Sequence, residues 1–225
     1  MNKHPTLLLF IGSALGAESL RKSLFITFLL LDFILGNNKI NFNAMAPLHI
    51  MHYNNSSIEE EDDWILFGIH LKEAKRIGVD AISVDVWWGL VEIQNNQFNW
   101  SYYIRVFDMI ISKGLDIIPI MSFHSFDPGK DAGFRAPIPD WVWAFISKDS
   151  GFKIQDLKYN SEDVNKDGSH KFSDEYVSLW ADRWAFIQYQ EFLNEFVNRF
   201  DNYLKYFQEI NISLGPTGEL RYPSY

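Results

Sequence analysis

The chain has 225 residues, 47% of them apolar, and 20 Lys+Arg against 29 Asp+Glu give it a formal net charge of −9; this is an ordinary globular composition, which excludes disorder for most of the length. The acidic balance and scattered lysines give no footprint for tracking phosphates, so nucleic acid is not expected as a partner, and the absence of cysteine removes disulfides, thiolate zinc sites and cysteine nucleophiles. One figure is unusual: 16% of the residues are aromatic, which suits either a large core or a groove that stacks sugar rings.

Two apolar runs open the chain, Leu7 to Ala17 behind Lys3 and His4, and Leu24 to Leu35 behind Arg21 and Lys22. Both fall short of the roughly 18 to 20 residues that span a bilayer as a helix, but they fit the apolar core of an export signal preceded by positive charge. Residues 1–40 therefore read as a leader, and the protein is expected to be secreted, without stable membrane anchoring. An uncleaved anchor and a non-native leader from a misplaced start compete with that reading, because no clean small-x-small cleavage site follows and Asp32 interrupts the second run.

From Ala46 onward short apolar runs alternate with helical periodicity. Ala46 to Met51 is the first strand candidate. After a polar stretch in which Ser56 or Ser57 can cap, Trp64, Phe67, Leu71 and Ala74 recur at helical spacing behind the acids Glu59 to Asp63, and Gly78 closes the helix. Ala81 to Val86 follows as a buried strand. Tyr103, Phe107, Ile110 and Ile111 mark a second helix closing at Gly114, and Asp116 to His124 reads as a third strand that Pro119 weakens. Residues 147–180 are polar and predict an irregular surface excursion. Phe186, Tyr189, Leu193, Phe196, Phe200, Tyr203 and Phe207 predict one long helix, with Asn211 to Leu214 as a fourth strand. Repeated βα units predict an α/β fold, but residues 41–225 fall short of the roughly 250 of a full barrel. The expectation is about the first four βα units of a (β/α)8 TIM barrel, with a free-standing four-stranded parallel sheet as the alternative.

In such barrels the polar residues at the carboxyl ends of strands face the active site. That rule selects Asp85, followed by Trp87 and Trp88, on the second strand; His124 on the third; and Glu219, with Arg221 and Tyr222, after the fourth. Taken singly each has a structural explanation: Asp85 as a loop organiser, the tryptophans as packing, His124 as a satisfied core histidine. Their coincidence at strand ends is what suggests a site, and composition alone fits a glycosidase, a sugar-binding module or a metal-dependent hydrolase.

The runs GPTGELRYPSY (Gly215 to Tyr225), GVDAISVDVWWGLVE (Gly78 to Glu92), PIPDWVW (Pro137 to Trp143) and NAMAPL (Asn43 to Leu48) resemble the beta-amylases, family 14 glycoside hydrolases, particularly their bacterial branch. The resemblance extends from about Asn43 to Tyr225 and implies an α/β barrel of which this chain carries the N-terminal half. It also implies cleavage of alpha-1,4-glucans such as starch or maltodextrin from non-reducing ends, releasing maltose with inversion and requiring no cofactor. Glu219 matches the family's general acid, and Asp85 and His124 match residues that hold the terminal glucose, with Trp87 beside them. Where the family usually reads HQCGGNVGD, this chain reads HSFDPGKDA from His124; the family's loop aspartate falls on Ala132, leaving Asp131 one position early as the substitute contact. Bacterial members can bind calcium after the second strand, which implies Glu92 with Asn96 as oxygen ligands.

Inverting hydrolysis needs a second carboxylate to activate water. In this family it comes from the C-terminal half of the barrel, so the resemblance predicts a glycoside hydrolase by family whose 225-residue chain is inactive alone. The alternative is a non-catalytic glucan-binding fragment that keeps Asp85, His124 and Trp87 or Trp88. A membrane-tethered structural protein using the two leader runs is the remaining reading.

Overall fold

The computed structural model describes residues 40–50, 57–127, 134–151, 153, 158–178 and 184–213. The leader expected over residues 1–40 therefore lies, except for its last residue, outside the described residues. Everything below concerns the compact unit Asn41–Tyr225. Strands β1 (Asn43–Met45), β2 (Ala81–Trp87), β3 (Asp116–Ser122) and β6 (Asn211–Ser213) form one parallel sheet in the order β1-β2-β3-β6. Helices α1 (Ser57–Arg76), α2 (Trp88–Val91), α3 (Ser101–Ser112), α4 (Asp140–Ser150) and α5 (Trp184–Arg199) intervene, and β4 (Tyr159–Val164) with β5 (His170–Ser173) makes a separate antiparallel hairpin.

The first strand is displaced from its expected position. It occupies Asn43–Met45 in register with Ala81 to Ser83, and one further bond runs from Ala46 N to Ser83 O at 2.8 Å. Pro47, which has no N–H to give a ladder, follows. Leu48 and Ile50 then make bonds outside the sheet: Leu48 O accepts the Trp87 indole N–H at 3.1 Å, and Ile50 N–H reaches the Tyr102 hydroxyl at 2.9 Å. Helix α1 buries Trp64, Phe67 and Leu71 as their spacing predicts, and Gly78 leaves it at φ +93°, a left-handed turn that glycine adopts without strain.

Pro119 does not prevent β3 from forming. Odd-numbered residues of this strand bond toward β6, as Ile117 O and Phe123 N show, and Pro119 falls in a gap of that ladder, after the Gln208 N to Ile117 O bond and before β6 begins opposite Ile120. The strand ends at Ser122 rather than His124.

Three other expectations are corrected. Residues 147–180 contain the β4–β5 hairpin, turned at Asn165 to Ser169 with Gly168 at φ +82°, and run on into fully buried Tyr176 and Val177. The long helix stops at Arg199, where a 3-10 turn, Asp201–Tyr206, takes over. Its buried stripe is Ala185, Gln188, Tyr189, Phe192 and Phe196, whereas Phe186 is 49% exposed. Trp100, Phe107, Phe192, Phe196, Phe200 and Phe207 pack ring on ring between α3, α5 and the sheet. Much of the aromatic content is thus core.

Candidate active site

The carboxyl ends of the parallel strands open into a cleft of about 690 Å³. It is lined by Asp85 and Trp87 from β2, Ile120 from β3, His124 just beyond β3 and Ser213 from β6, together with the apolar Met45, Leu48 and Phe126 and the polar Ser125, Asp127, Asp174 and Glu175. Alternation along β2 points Asp85 to this side while Val84 and Val86 enter the core.

Asp85 is partly buried and accepts a hydrogen bond from Ser122 Oγ at 2.8 Å on the adjacent strand. Burial raises its pKa, and the Ser122 bond partly offsets the rise. His124 is 8% exposed, its Nδ1 has no hydrogen-bond partner among the described residues, and burial lowers its pKa to about 4, so the imidazole is neutral at physiological pH. It meets Trp87 edge-on at 5.1 Å. A buried imidazole nitrogen with no partner among the described residues, sharing a cleft with a carboxylate, can serve an incoming hydroxyl group.

Trp87 borders the cleft but is only 2% exposed, its indole N–H is held by Leu48 O, and its backbone N–H bonds the Tyr103 hydroxyl at 2.8 Å. Trp88 is pure packing: it meets Phe123, Trp141 and Tyr189 edge-on and donates to Glu92 Oε2 at 2.8 Å. Glu92 is buried and also accepts Asn96 N–H at 2.8 Å, a bond made available by the left-handed φ of 59° at Asn96. Burial raises the Glu92 pKa, the two hydrogen bonds lower it, and the charges of Glu191 and Glu195 on α5 raise it again. Neighbouring Asn95 has a buried Oδ1 without a partner among the described residues. Among the described residues no three His, Asp or Glu side chains gather into a ready metal cluster.

Asp131, Glu219, Arg221 and Tyr222 lie outside the described residues. Ser122, Phe126, Asp174, Glu175 and Ser213 belong to the cleft lining or its support without having been singled out in the sequence. Glu175 arrives because Ser125 N–H bonds its carbonyl at 2.5 Å, tying the exit of the β4–β5 hairpin to the loop after β3. The signal available was the apolar pair Tyr176–Val177 breaking a polar stretch.

The sequence profile of Glycosyl hydrolase family 14 matches residues 45–225. The chain belongs to that family. It is 34% identical over 92% of its length to the thermophilic beta-amylase of Thermoanaerobacterium thermosulfurigenes, 37% identical over 72% to a beta-amylase of Niallia circulans, and 32% identical over 84% to beta-amylase Tri a 17 of Triticum aestivum. These matches span 36%, 26% and 36% of the relatives' own lengths. The solved catalytic domain of the beta-amylase from Paenibacillus polymyxa superposes with a TM-score of 0.66 at 31% identity, over 82% of this chain and 39% of that one. By family the chain is grouped with the glycoside hydrolases, and the four parallel strands among its described residues correspond to part of a family 14 α/β barrel.

Proposed function

We propose that the chain carries the terminal-glucose subsite and the general acid of a secreted exo-hydrolase that cleaves alpha-1,4-glucosidic bonds of starch from non-reducing ends and releases beta-maltose by inversion. The observation that carries this reading is the presence in one cleft, at the ends of adjacent parallel strands, of Asp85 and a neutral His124 whose Nδ1 has no partner among the described residues. Asp85 accepts hydrogen bonds from sugar hydroxyls, and His124 bonds the same ring without adding charge. Glu219 protonates the leaving oxygen. A second carboxylate, roughly 6.5 to 9.5 Å away, activates water on the opposite face of the sugar, and in this reading it comes from the portion of the barrel that the relatives have beyond the matched third. Residues 1–40 direct export.

The test joins this chain to the complementary portion of the Paenibacillus polymyxa catalytic domain. Release of beta-maltose from soluble starch is expected, and Glu219→Gln should lower it by about 10² or more, the range for losing a general acid. If the Glu219→Gln chimera folds, binds maltodextrin and keeps full activity, Glu219 loses its role.

Hydrolysis in this reading uses carboxylates and water and needs no cofactor. Calcium enters as a structural ion only. Buried Glu92, the orphaned Asn95 Oδ1 and the field of Glu191 and Glu195 supply hard oxygens and excess negative charge that such an ion would offset. Millimolar calcium should raise the melting temperature relative to a chelator, and Glu92→Gln should abolish the difference; identical melts with and without calcium would dismiss the ion.

A further inference from the structure

We infer that Phe126 is a sugar-stacking platform at the mouth of the cleft, held in place from behind by a column of stacked rings. The inference rests on the glucan-binding reading above and adds to it a residue that stands where the related loop has no aromatic side chain.

Phe126 lines the cleft, as do the apolar Met45 and Leu48, and it is partly exposed. Trp87, the tryptophan beside Asp85, cannot take this part: its ring is buried and its indole N–H is committed to Leu48 O. The backbone of Phe126 is pinned at both polar atoms, its N–H bonding Ala136 O and its carbonyl accepting Ala136 N–H, each at 2.9 Å. The rings behind it line up nearly parallel. Phe134 lies 5.9 Å from Phe126 at 27°, His49 lies 5.0 Å from Phe134 at 12°, and Tyr102 lies 4.4 Å from His49 at 5°. Tyr102 ends the column, anchored on α3 by a hydroxyl that accepts Ile50 N–H at 2.9 Å and by an edge-on contact with Tyr103 at 5.0 Å. Trp87 supports Phe126 from the side at 5.9 Å.

Four separate chain segments, carrying Phe134 with Ala136, His49, Tyr102 and Trp87, thus converge to fix one ring. A ring already immobilised loses little freedom when a ligand stacks on it, so the contact adds to affinity with little ordering cost. A glucopyranose chair matches the cleft as a whole: its C–H face lies against an aromatic face, while its equatorial hydroxyls meet Asp85 and His124. The ligand class is a neutral hexopyranose with both an apolar face and a hydroxyl rim.

Calorimetric titration of the 225-residue chain with maltotriose tests this, with circular dichroism melts run on every variant. Phe126→Ala should weaken binding about tenfold, Phe126→Tyr should stay within about twofold of wild type because the ring survives, and His49→Ala, which removes a ring from the column without bordering the cleft, should weaken binding by a smaller factor. Asp85→Asn separates the two levels of the reading. If Asp85→Asn loses binding while folded Phe126→Ala binds as wild type does, the platform is refuted and the functional reading stands. If the wild-type chain takes up no maltotriose at millimolar concentration, both fall.

Discussion

Burial of His124, whose Nδ1 has no partner among the described residues, couples proton binding to folding in the cleft. Its native pKa of about 4 lies below the ordinary 6.5, so between those values the unfolded chain takes up a proton that the native imidazole refuses. Stability falls as pH drops through that window and does not recover below it, a loss of up to about 3 kcal/mol from this group. Asp85 acts in the opposite sense: its raised pKa makes the charged form costly, so its contribution is favourable at low pH and is lost as pH rises past the ordinary carboxylate value. Urea unfolding of His124→Gln should therefore show a shallower decline in midpoint between pH 6.5 and 4.5 than wild type. Equal slopes for the two proteins would mean that the native imidazole is protonated in this range and not neutral in the cleft.

At the scale of elements, the loop after β2 is fixed by backbone contact. Short helix α2 sets Gly89 directly against the segment leading into α4: a Cβ added there would lie 1.8 Å from Pro137 O and 3.0 Å from its carbonyl carbon. Backbone atoms cannot swing aside as a side chain can, and the same loop is tied to α4 by the Trp141 indole donating to Glu92 O at 2.8 Å. Gly89→Ala should cost about 3 kcal/mol, lowering the melting temperature by roughly 5 to 15 °C. An unchanged melt would show that the 137–139 segment yields freely.

Strand β2 and helices α1 and α3 were legible in the sequence because their apolar spacing and closing glycines all agree. The elements misread were those decided by tertiary context. Strand β1 has only three residues, Asn43 to Met45, too few to show an alternation, and its pairing with β2 sets its position. In α5 five of the sixteen residues are aromatic and they fall on more than one face, so the apolar pattern fits more than one stripe, and packing against Trp100 and Phe107 selects the one through Phe192 and Phe196. The same division holds in the cleft. The rule for strand ends locates Asp85 and His124, whereas Phe126 and Glu175 reach it through the Phe126–Ala136 bridge and the Ser125–Glu175 bond, which join segments distant in sequence.

Taken as a whole molecule, the described part of the sheet ends in two strands with one neighbour each, β1 and β6. Met45 on β1 is 58% exposed, and Ile212 on β6 is 52% exposed. On the β1 side a groove of about 440 Å³ runs between the strand and α1, lined by Met45, Pro47, Phe67 and His70, and α1 continues the apolar surface with Ile65, Leu66 and Ile69, each about half exposed. An open parallel edge offers backbone N–H and C=O groups to another strand, and an apolar border gives that pairing a driving force. In a closed barrel both features would be covered. The 225-residue chain in isolation should therefore associate with further copies of itself at micromolar concentration, edge to edge, and light scattering should report dimers or larger species despite a net charge of −9 that opposes their approach. Raising the salt concentration should strengthen the association by screening that charge. Met45→Lys combined with Ile212→Lys should shift the population toward monomer by placing a charge on each edge without touching the core. A monodisperse wild-type monomer with a single cooperative melt would mean that four strands close their own edges, and the apolar border would need another explanation.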